Sequence, residues 1–573
     1  MNSEVENDDE EKLIGVVIGS SSGRNVYGAL KSPYETSRGS FVRIEHQEKD
    51  KYNFVSVIAK VSEIERKSDL FTNDFPSEYL NRVISTIPQN YHEKTIVNLE
   101  VIGYADEKSH QIKIPRRPIK PGAKIYLIEQ SDLKYFFKQN LKNSITIGRL
   151  VGYEKSKNSI PVNLSISELI TQHLVVLAMT GAGKSYTLGR ICEHITGLFN
   201  GSVLILDPHG EYGNMFMDGE LRFDESSLED DIYSSERKDI KTNFKSLIEK
   251  GAGFKVVAPN NDFSRLKYGT DNFIPLIINF DELNLTDIIE LLPGMSEPQR
   301  RTLRVAWKQW RKDTPPRNPL DLIDLLTTDF DKVQQRVKRE IGEGGRAISR
   351  TSARIIGLRL KNFIDEVPIF YVPDVTPSPI SIENLVGRKD PRSVEDQLGR
   401  ITVLDFQSIP KEILQISTTI VLKKILLSAK EKRTRSCFIV IEEGHNFAPS
   451  KKNIASKRII SQIASEGRKF GVGLGIVSQR PNKLDPDVVS QCNSFITLRI
   501  KNPDDQNFVR KVGEYLSQRD LQELPGLSVG EALIFGRAIT TPMLTKIGPR
   551  HLEHGGETPD VISIWRKQPL EEE

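Results

Sequence analysis

The sequence predicts an α/β protein: a parallel sheet carrying a phosphate-binding loop, a small β-rich domain ahead of it, and a helical insertion within it. Three observations predict this class. The run Leu174-Val-Val-Leu-Ala-Met-Thr-Gly-Ala-Gly-Lys-Ser185 is an apolar strand entering a glycine-rich turn and then a helix, Tyr186 to Leu198. Short β-like runs recur at 174–177, 203–206, 402–404, 438–441, 474–477, 495–500 and 532–535, and their largely continuous apolar character fits strands covered on both faces. Ahead of them, between residues 13 and 150, short β-rich segments alternate with Gly, Ser, Asp, Lys and Pro.

Taken in order, residues 1–12 carry Glu4, Glu6, Asp8, Asp9, Glu10 and Glu11 and read as a solvated acidic tail. Residues 13–150 hold the segments Ile14–Gly19, Ser40–Ile44, Asn53–Ile58, Thr95–Ile102 and Gln111–Ile114, whose even recurrence suggests a small barrel or sandwich. The α/β core is expected over 151–212 and 400–550, where strands alternate with helices. Between them, 213–399 reads as mostly helical. Asn318-Pro319 looks like an N-cap followed by Pro at the first helical position, and Ala347 to Phe363 sets Ile348, Ile355, Leu358 and Leu360 among cations. Residues 372–400 form a Pro/Ser-rich connector, and 551–573 read as a tail.

Composition excludes several classes. The chain has 573 residues with 80 Lys and Arg against 77 Asp and Glu, a formal charge of +3, so any nucleic-acid contact must come from a local patch or a pore lining. Thirty-eight per cent apolar residues are enough for a core. The three cysteines, Cys192, Cys437 and Cys492, stand far apart, which excludes a disulfide framework and a Cys-based zinc site and suits a reducing cytosol. No run approaches ~18 consecutive apolar residues, and the acidic start is no signal peptide. A cytoplasmic protein without a membrane span is expected.

The chemistry is concentrated in four segments. In Thr180-Gly181-Ala182-Gly183-Lys184-Ser185, small residues let backbone N–H groups wrap a triphosphate, Lys184 reaches its β- and γ-phosphates and Ser185 gives a hydroxyl to Mg²⁺. Tyr186 completes the nucleotide-binding set; Ala178 stands where the usual pattern begins with Gly. In Cys437-Phe-Ile-Val-Ile-Glu442-Glu443-Gly-His445, adjacent carboxylates end an apolar strand. Glu442 is expected in the Mg²⁺ shell, and Glu443 is expected to polarise the attacking water. In Asp207-Pro-His209-Gly-Glu211-Tyr212, Asp207 ends the strand after the loop helix and supports metal or water, unless the segment is purely structural. Gln479, ending the run at 474–478, is placed to sense the γ-phosphate or is only a polar strand end. Arg468 in Glu466-Gly-Arg-Lys-Phe470 either reaches a neighbour's γ-phosphate or is solvated.

These linked motifs, with Ser478-Gln479-Arg480-Pro481, resemble the HerA family of hexameric DNA-translocating ATPases, within the HerA/FtsK group. The resemblance covers most of the chain and implies a RecA-like core, a HerA-type barrel at the start and a helical-bundle insertion. It implies ATP and Mg²⁺ as cofactors and a homo-hexamer on double-stranded DNA. By the same resemblance Lys184 and Ser185 bind nucleotide and metal, Glu442 and Glu443 are metal-shell and catalytic acids, Asp207 assists, Gln479 is the sensor and Arg468 the trans finger. Family members pair with a separate nuclease such as NurA, and some bacterial relatives pair with sirtuin-like NAD-hydrolysing or nuclease effectors in phage defence. Gly444, where Ala is common, is a second departure from the family pattern.

Two functions follow as expectations. The first is an ATP-driven motor on duplex DNA, working with an effector in end processing or antiviral defence. The second is a nucleotide-dependent ring scaffold that activates an effector without translocating. A peripheral secretion or conjugation ATPase is a third possibility, disfavoured by the missing apolar spans. Plentiful Asn and Gln tilt the reading towards a mesophilic source and a defence role. No segment identifies itself as a DNA contact: Gln299–Lys312 reads as an amphipathic packed helix through Leu303, Trp307 and Trp310, and Lys430–Arg435 as a solvated turn.

Overall fold

The computed structural model describes residues 12–22, 24–31, 36–48, 54–68, 93–105, 112–128, 132–133, 143–153, 159–217, 220–223, 233–312, 317–341, 349–390, 392–513, 516–539 and 541–553. The acidic tail expected over 1–12 and the tail expected over 551–573 lie almost wholly outside these residues. The chain divides into two compact units. One comprises residues 1–164, 516–522 and 539–548, and the other the remainder.

The first unit is built on seven strands: β1 (Leu13–Ile18), β2 (Asn25–Leu30), β3 (Phe41–Gln47), β4 (Phe54–Ser68), β5 (Glu93–Ala105), β6 (Ile112–Lys113) and β7 (Lys124–Leu127). Their order is β2-β1-β7-β3-β4-β5-β6, and β2 also pairs with β5, so six strands close into an antiparallel barrel and β6 hangs on β5 outside the ring. Closure leaves no free edge. The interior is packed with Ile14, Val17, Val26, Val42, Ile44, Val57, Val61, Val97, Leu99 and Ile125, which alternate along their strands except in β1, where the register shifts. At Gly28 of β2 a methyl group would meet Ile125 Cδ1 at 2.5 Å, so any side chain there would force Ile125 to shift. The sequence reading finds β1, β3, β4 and β5 but passes over β2 and β7. Both are short and interrupted by Gly or Lys, and they are strands because the ring needs them. The run at 111–114 contributes only the two-residue β6. The unit also holds β8 (Ser144–Leu150), β9 (Pro161–Ser165) and a late strand, Met543–Ile547, antiparallel to β8. Lys60 reaches Asp520 at 2.8 Å.

The second unit is the α/β core. Its strands are β10 (Leu174–Leu177), β11 (Ser202–Asp207), β14 (Gly253–Ala258), β15 (Ile274–Pro275), β16 (Arg400–Asp405), β17 (Cys437–Ile441), β18 (Val472–Ser478), β19 (Ser494–Thr497) and β20 (Glu531–Gly536). A small hairpin, β12 (Phe216–Met217) and β13 (Glu220–Leu221), stands apart, and the late strand of the first unit is β21. The core order is β15-β14-β16-β11-β17-β18-β10-β19-β20, all parallel except the antiparallel edge strand β20. Here β18 lies between the strand of the phosphate loop and the strand that ends in Glu442-Glu443. This is the RecA-like arrangement, and it sets three functional strand ends side by side. Every residue of β11, β16, β17 and β18 is buried, as strands with helices on both faces require.

Residues 213–399 are rich in helix but also supply β14 and β15. The run Gly253-Phe-Lys-Val-Val-Ala258 is too short for a helix and pairs with β16 across most of its length. The helices 297–310, 319–326 and 350–366 pack together around Leu303, Trp307, Trp310, Leu322, Leu326, Ile356 and Leu360. Asn318 caps the second of them through Leu320 N, with Pro319 at its first position. Trp310 is fully buried, donates to the Asn318 carbonyl at 2.9 Å and meets Phe280 edge-on at 5.6 Å, so the tryptophans of this basic helix serve packing. Among the described residues, no helix is long and apolar enough to cross a membrane.

Candidate active site

The loop Ala178–Gly183 leaves β10 and runs into the helix Lys184–Phe199. Gly181 and Gly183 adopt φ of +74° and +98°, a conformation that points successive N–H groups to one side of the turn. Gly183 is the N-cap and offers no side chain to the first turn, so the N–H groups of this sixteen-residue helix face the loop uncapped. Ala178 is fully buried and does not take a positive φ, so the missing glycine costs the loop nothing.

Three neighbouring strand ends converge on Lys184. Its Nζ lies 2.5 Å from Glu442 Oε2 and 3.4 Å from Glu443 Oε1, all three side chains being buried. From the end of β18, Gln479 donates through Nε2 to Glu443 Oε1 at 2.7 Å and accepts from the Thr180 hydroxyl at 2.5 Å. A continuous chain thus runs from Thr180 of the phosphate loop through Gln479 to Glu443. Ser185 donates to Glu211 and Tyr212 donates to Glu442. His445 approaches the second oxygen of Glu443 at 3.2 Å and Ser478 Oγ at 3.2 Å. Glu443 itself sits in the left-handed region at φ 50°, ψ 46°, an uncommon conformation for a glutamate that turns its carboxylate back over the strand ends.

The electrostatics follow from this packing. Burial acts to raise the Glu443 carboxyl, but the His445 hydrogen bond and the charge of Lys184 outweigh it and bring it down to about 2. Burial acts against the Lys184 cation, yet Glu442 and Glu443 together raise its pKa above the ordinary lysine range. Asp207 is different. Its two oxygens accept the N–H groups of His209, Gly210 and Tyr212 at 2.8–3.1 Å, so it organises its own turn. Burial, and after it the facing Asp405, push it up to about 7. Asp405, which ends β16, accepts from Tyr268 at 2.5 Å and Lys267 at 2.9 Å, and Lys267 also reaches the Gly210 carbonyl at 3.0 Å.

Thr180, Lys184, Glu442, Glu443 and Gln479 are therefore brought together directly, and Ser185 stands beside them through Glu211. Asp207 lies on the adjacent strand, engaged by its turn. Tyr186 is half-buried, and its hydroxyl accepts from the Arg550 backbone at 2.7 Å. Arg468 is exposed at the opposite end of β18 from Gln479, with roughly 20 Å of strand between them. Sequence reasoning misses Tyr212 as the partner of Glu442, and it misses Asp405 with Lys267 and Tyr268. Asp405 carries a legible signal, a carboxylate closing an apolar strand as Asp207 does; Lys267 and Tyr268 carry none, because the helix Asp262–Tyr268 meets the site only in the fold. The donor set fits a nucleotide with a hard cation: uncapped N–H groups and a buried ammonium for phosphate, and hydroxyl and carboxylate oxygens for Mg²⁺.

Residues 145–425 match the family described as Helicase HerA, central domain. The DNA double-strand break repair helicase HerA of Pyrococcus furiosus is 27% identical over 582 aligned positions, covering 97% of both chains. The protein of the same name from Sulfurisphaera tokodaii is 25% identical, again over 97% of each. Among solved structures, the bacterial conjugative coupling protein TrwB shows similarity at a TM-score of 0.45 and 14% identity, covering 74% of this chain and 95% of that one. With the phosphate loop, the paired carboxylates and Gln479 converging as described, the chain is similar over nearly its whole length to helicases of the HerA family.

Proposed function

We propose that this protein is an ATP-hydrolysing motor that translocates on double-stranded DNA as a homo-hexameric ring. It would work with an effector, a nuclease or an NAD hydrolase, in DNA end processing or antiviral defence. The observation that carries this reading is the unbroken contact chain Thr180–Gln479–Glu443–Lys184–Glu442, on a chain similar over nearly its whole length to helicases named for double-strand break repair. When bound, Mg²⁺ supplies Lewis-acid charge at the phosphates, with Ser185 and Glu442 to hold it. Lys184 neutralises and orients the β- and γ-phosphates. Glu443 stays ionised at neutral pH, so it is a hydrogen-bond acceptor that orients the attacking water; phosphoryl transfer asks more for orientation than for a strong base. Gln479 ties that acceptor to Thr180, so that both respond to the same phosphate. Arg468 acts across the subunit interface on a neighbour's γ-phosphate. A cleft lined by Lys411, Lys451, Lys452, Lys483, Lys511 and Arg480 beside His445, with Asp504 at its wall, supplies cations for the DNA backbone.

Turnover of ATP with and without linear duplex tests the proposal. The unaltered protein should be stimulated by duplex, Glu443→Gln should bind ATP but turn over at least ~100-fold more slowly, and Lys184→Ala should lose nucleotide binding. Equal, DNA-indifferent turnover in all three would overturn it. Full effector activation by Glu443→Gln would favour the scaffold over the motor. For the cleft, Lys452→Ala should weaken binding to all duplexes alike and lower the salt slope by about 1.

A further inference from the structure

Away from the nucleotide, the phosphate-loop helix carries a second group of titratable side chains. Arg190, Glu193 and His194 are fully buried on it, and they meet Glu236 of the helix Ser234–Glu249 and His551 of the segment after β21. One oxygen, Glu236 Oε1, is approached by Arg190 Nη2 at 2.7 Å, His194 Nε2 at 2.9 Å and His551 Nε2 at 3.0 Å. The other ring nitrogen of His194, Nδ1, lies 2.6 Å from the Arg190 carbonyl oxygen, a contact that requires an N–H. A neutral His194 therefore turns a lone pair, with no proton, from Nε2 towards the carboxylate. This nitrogen makes no hydrogen bond, and neither does Nδ1 of His551, although both rings are buried. Two lone pairs facing each other away from water are repulsive unless a cation lies between them.

We propose that His194, Glu236 and His551 form a binding site for a divalent transition-metal ion of the zinc class, clamping the segment after β21 onto the phosphate-loop helix. Their ligand atoms all lie within 4.8 Å of one another. A tetrahedral zinc with bonds of ~2.0–2.1 Å sets its ligands about 3.3 Å apart, close to the 2.9 and 3.0 Å found here. Two imidazoles and a carboxylate suit zinc and its neighbours better than magnesium or calcium. The Arg190 carbonyl behind His194 Nδ1 is the outer-shell contact that fixes a ligating tautomer. Glu193 lies 3.8 Å from that same nitrogen and holds the N–H groups of His551 and Leu552 at 3.0–3.1 Å, adding a second carboxylate against the ion and Arg190. Glu236, whose side chain is 18% exposed, gives solvent its access, so water completes the coordination.

The test is a metal titration of the full chain after chelator stripping. One equivalent of Co²⁺ should give the intense visible bands of a tetrahedral site. Zn²⁺ should displace it and raise the melting temperature by a few degrees. Cobalt in the nucleotide site would be octahedral and pale. His551→Ala, and Glu236→Gln as a milder variant that keeps the side-chain shape, should each weaken binding by more than the ~10–100-fold typical of outer-shell changes. Absence of tetrahedral bands in the unaltered protein, or bands undiminished in both variants, would overturn the proposal. So would a melting temperature that follows imidazole protonation and ignores metal, which would assign the cluster to an extra proton on His194.

Discussion

Asp207 holds a carboxyl that is half protonated near neutral pH, and this has a measurable sign. The unfolded chain releases the proton near the ordinary 3.8, the folded chain only at about 7. The folded state thus binds more protons between these values, and its stability is greatest below the lower one and declines as pH rises towards the upper. Asp207→Asn should flatten that decline in melting temperature from about pH 4 to about pH 7; an unchanged profile would assign it to other groups. Legibility at this scale follows strand ends. Glu442, Glu443 and Gln479 could be read from sequence because they follow apolar runs, and Lys184 because it follows a glycine-rich turn at the start of a helix. The Tyr212 contact to Glu442 could not, since it depends on how the Asp207 turn folds back.

Strand β18 shows how an element can be defined by its neighbours. Its sequence, Val-Gly-Leu-Gly-Ile-Val-Ser, alternates glycine with branched residues, and the glycines make room for Phe438 of β17. A methyl at Gly475 would lie 2.8 Å from Phe438 Cζ, and one at Gly473 would lie 2.6 Å from the backbone oxygen of Ile170. Gly473→Ala should therefore cost ~1–3 kcal/mol in a denaturant titration, with no flexible neighbour to relieve it. Gly475→Ala should be partly rescued by Phe438→Leu, so the two together should fall short of the sum of their separate costs. Most strands of the parallel core were legible because burial on both faces leaves a continuous apolar run. Strands β2, β7 and β14 were not, because short pieces mixing apolar residues with Gly or Lys take strand geometry from the sheet that receives them.

At the scale of the whole molecule, the position of Arg468 decides how many chains an active site needs. Within one chain it stands at the far end of β18, so on the reading proposed above its charge serves another subunit. Arg468→Ala should lower turnover by ~10³-fold or more with nucleotide affinity nearly intact. Mixing Arg468→Ala with Glu443→Gln should restore part of the lost activity, because some interfaces then pair an unaltered carboxylate with an unaltered guanidinium. Two inactive pools that stay inactive when mixed would overturn the action of the arginine on a neighbour's nucleotide.

The pairing of Lys184 with Glu442 and Glu443 also bears on order of arrival. A bare triphosphate would have to pull the lysine from two anions while passing Glu211, so the pocket acts as an electrostatic turnstile that refuses uncomplexed ATP and admits it with its magnesium. Glu442→Gln should loosen that rule. Chelation should weaken ATP binding in the unaltered protein at least ~10-fold and should matter much less in the variant.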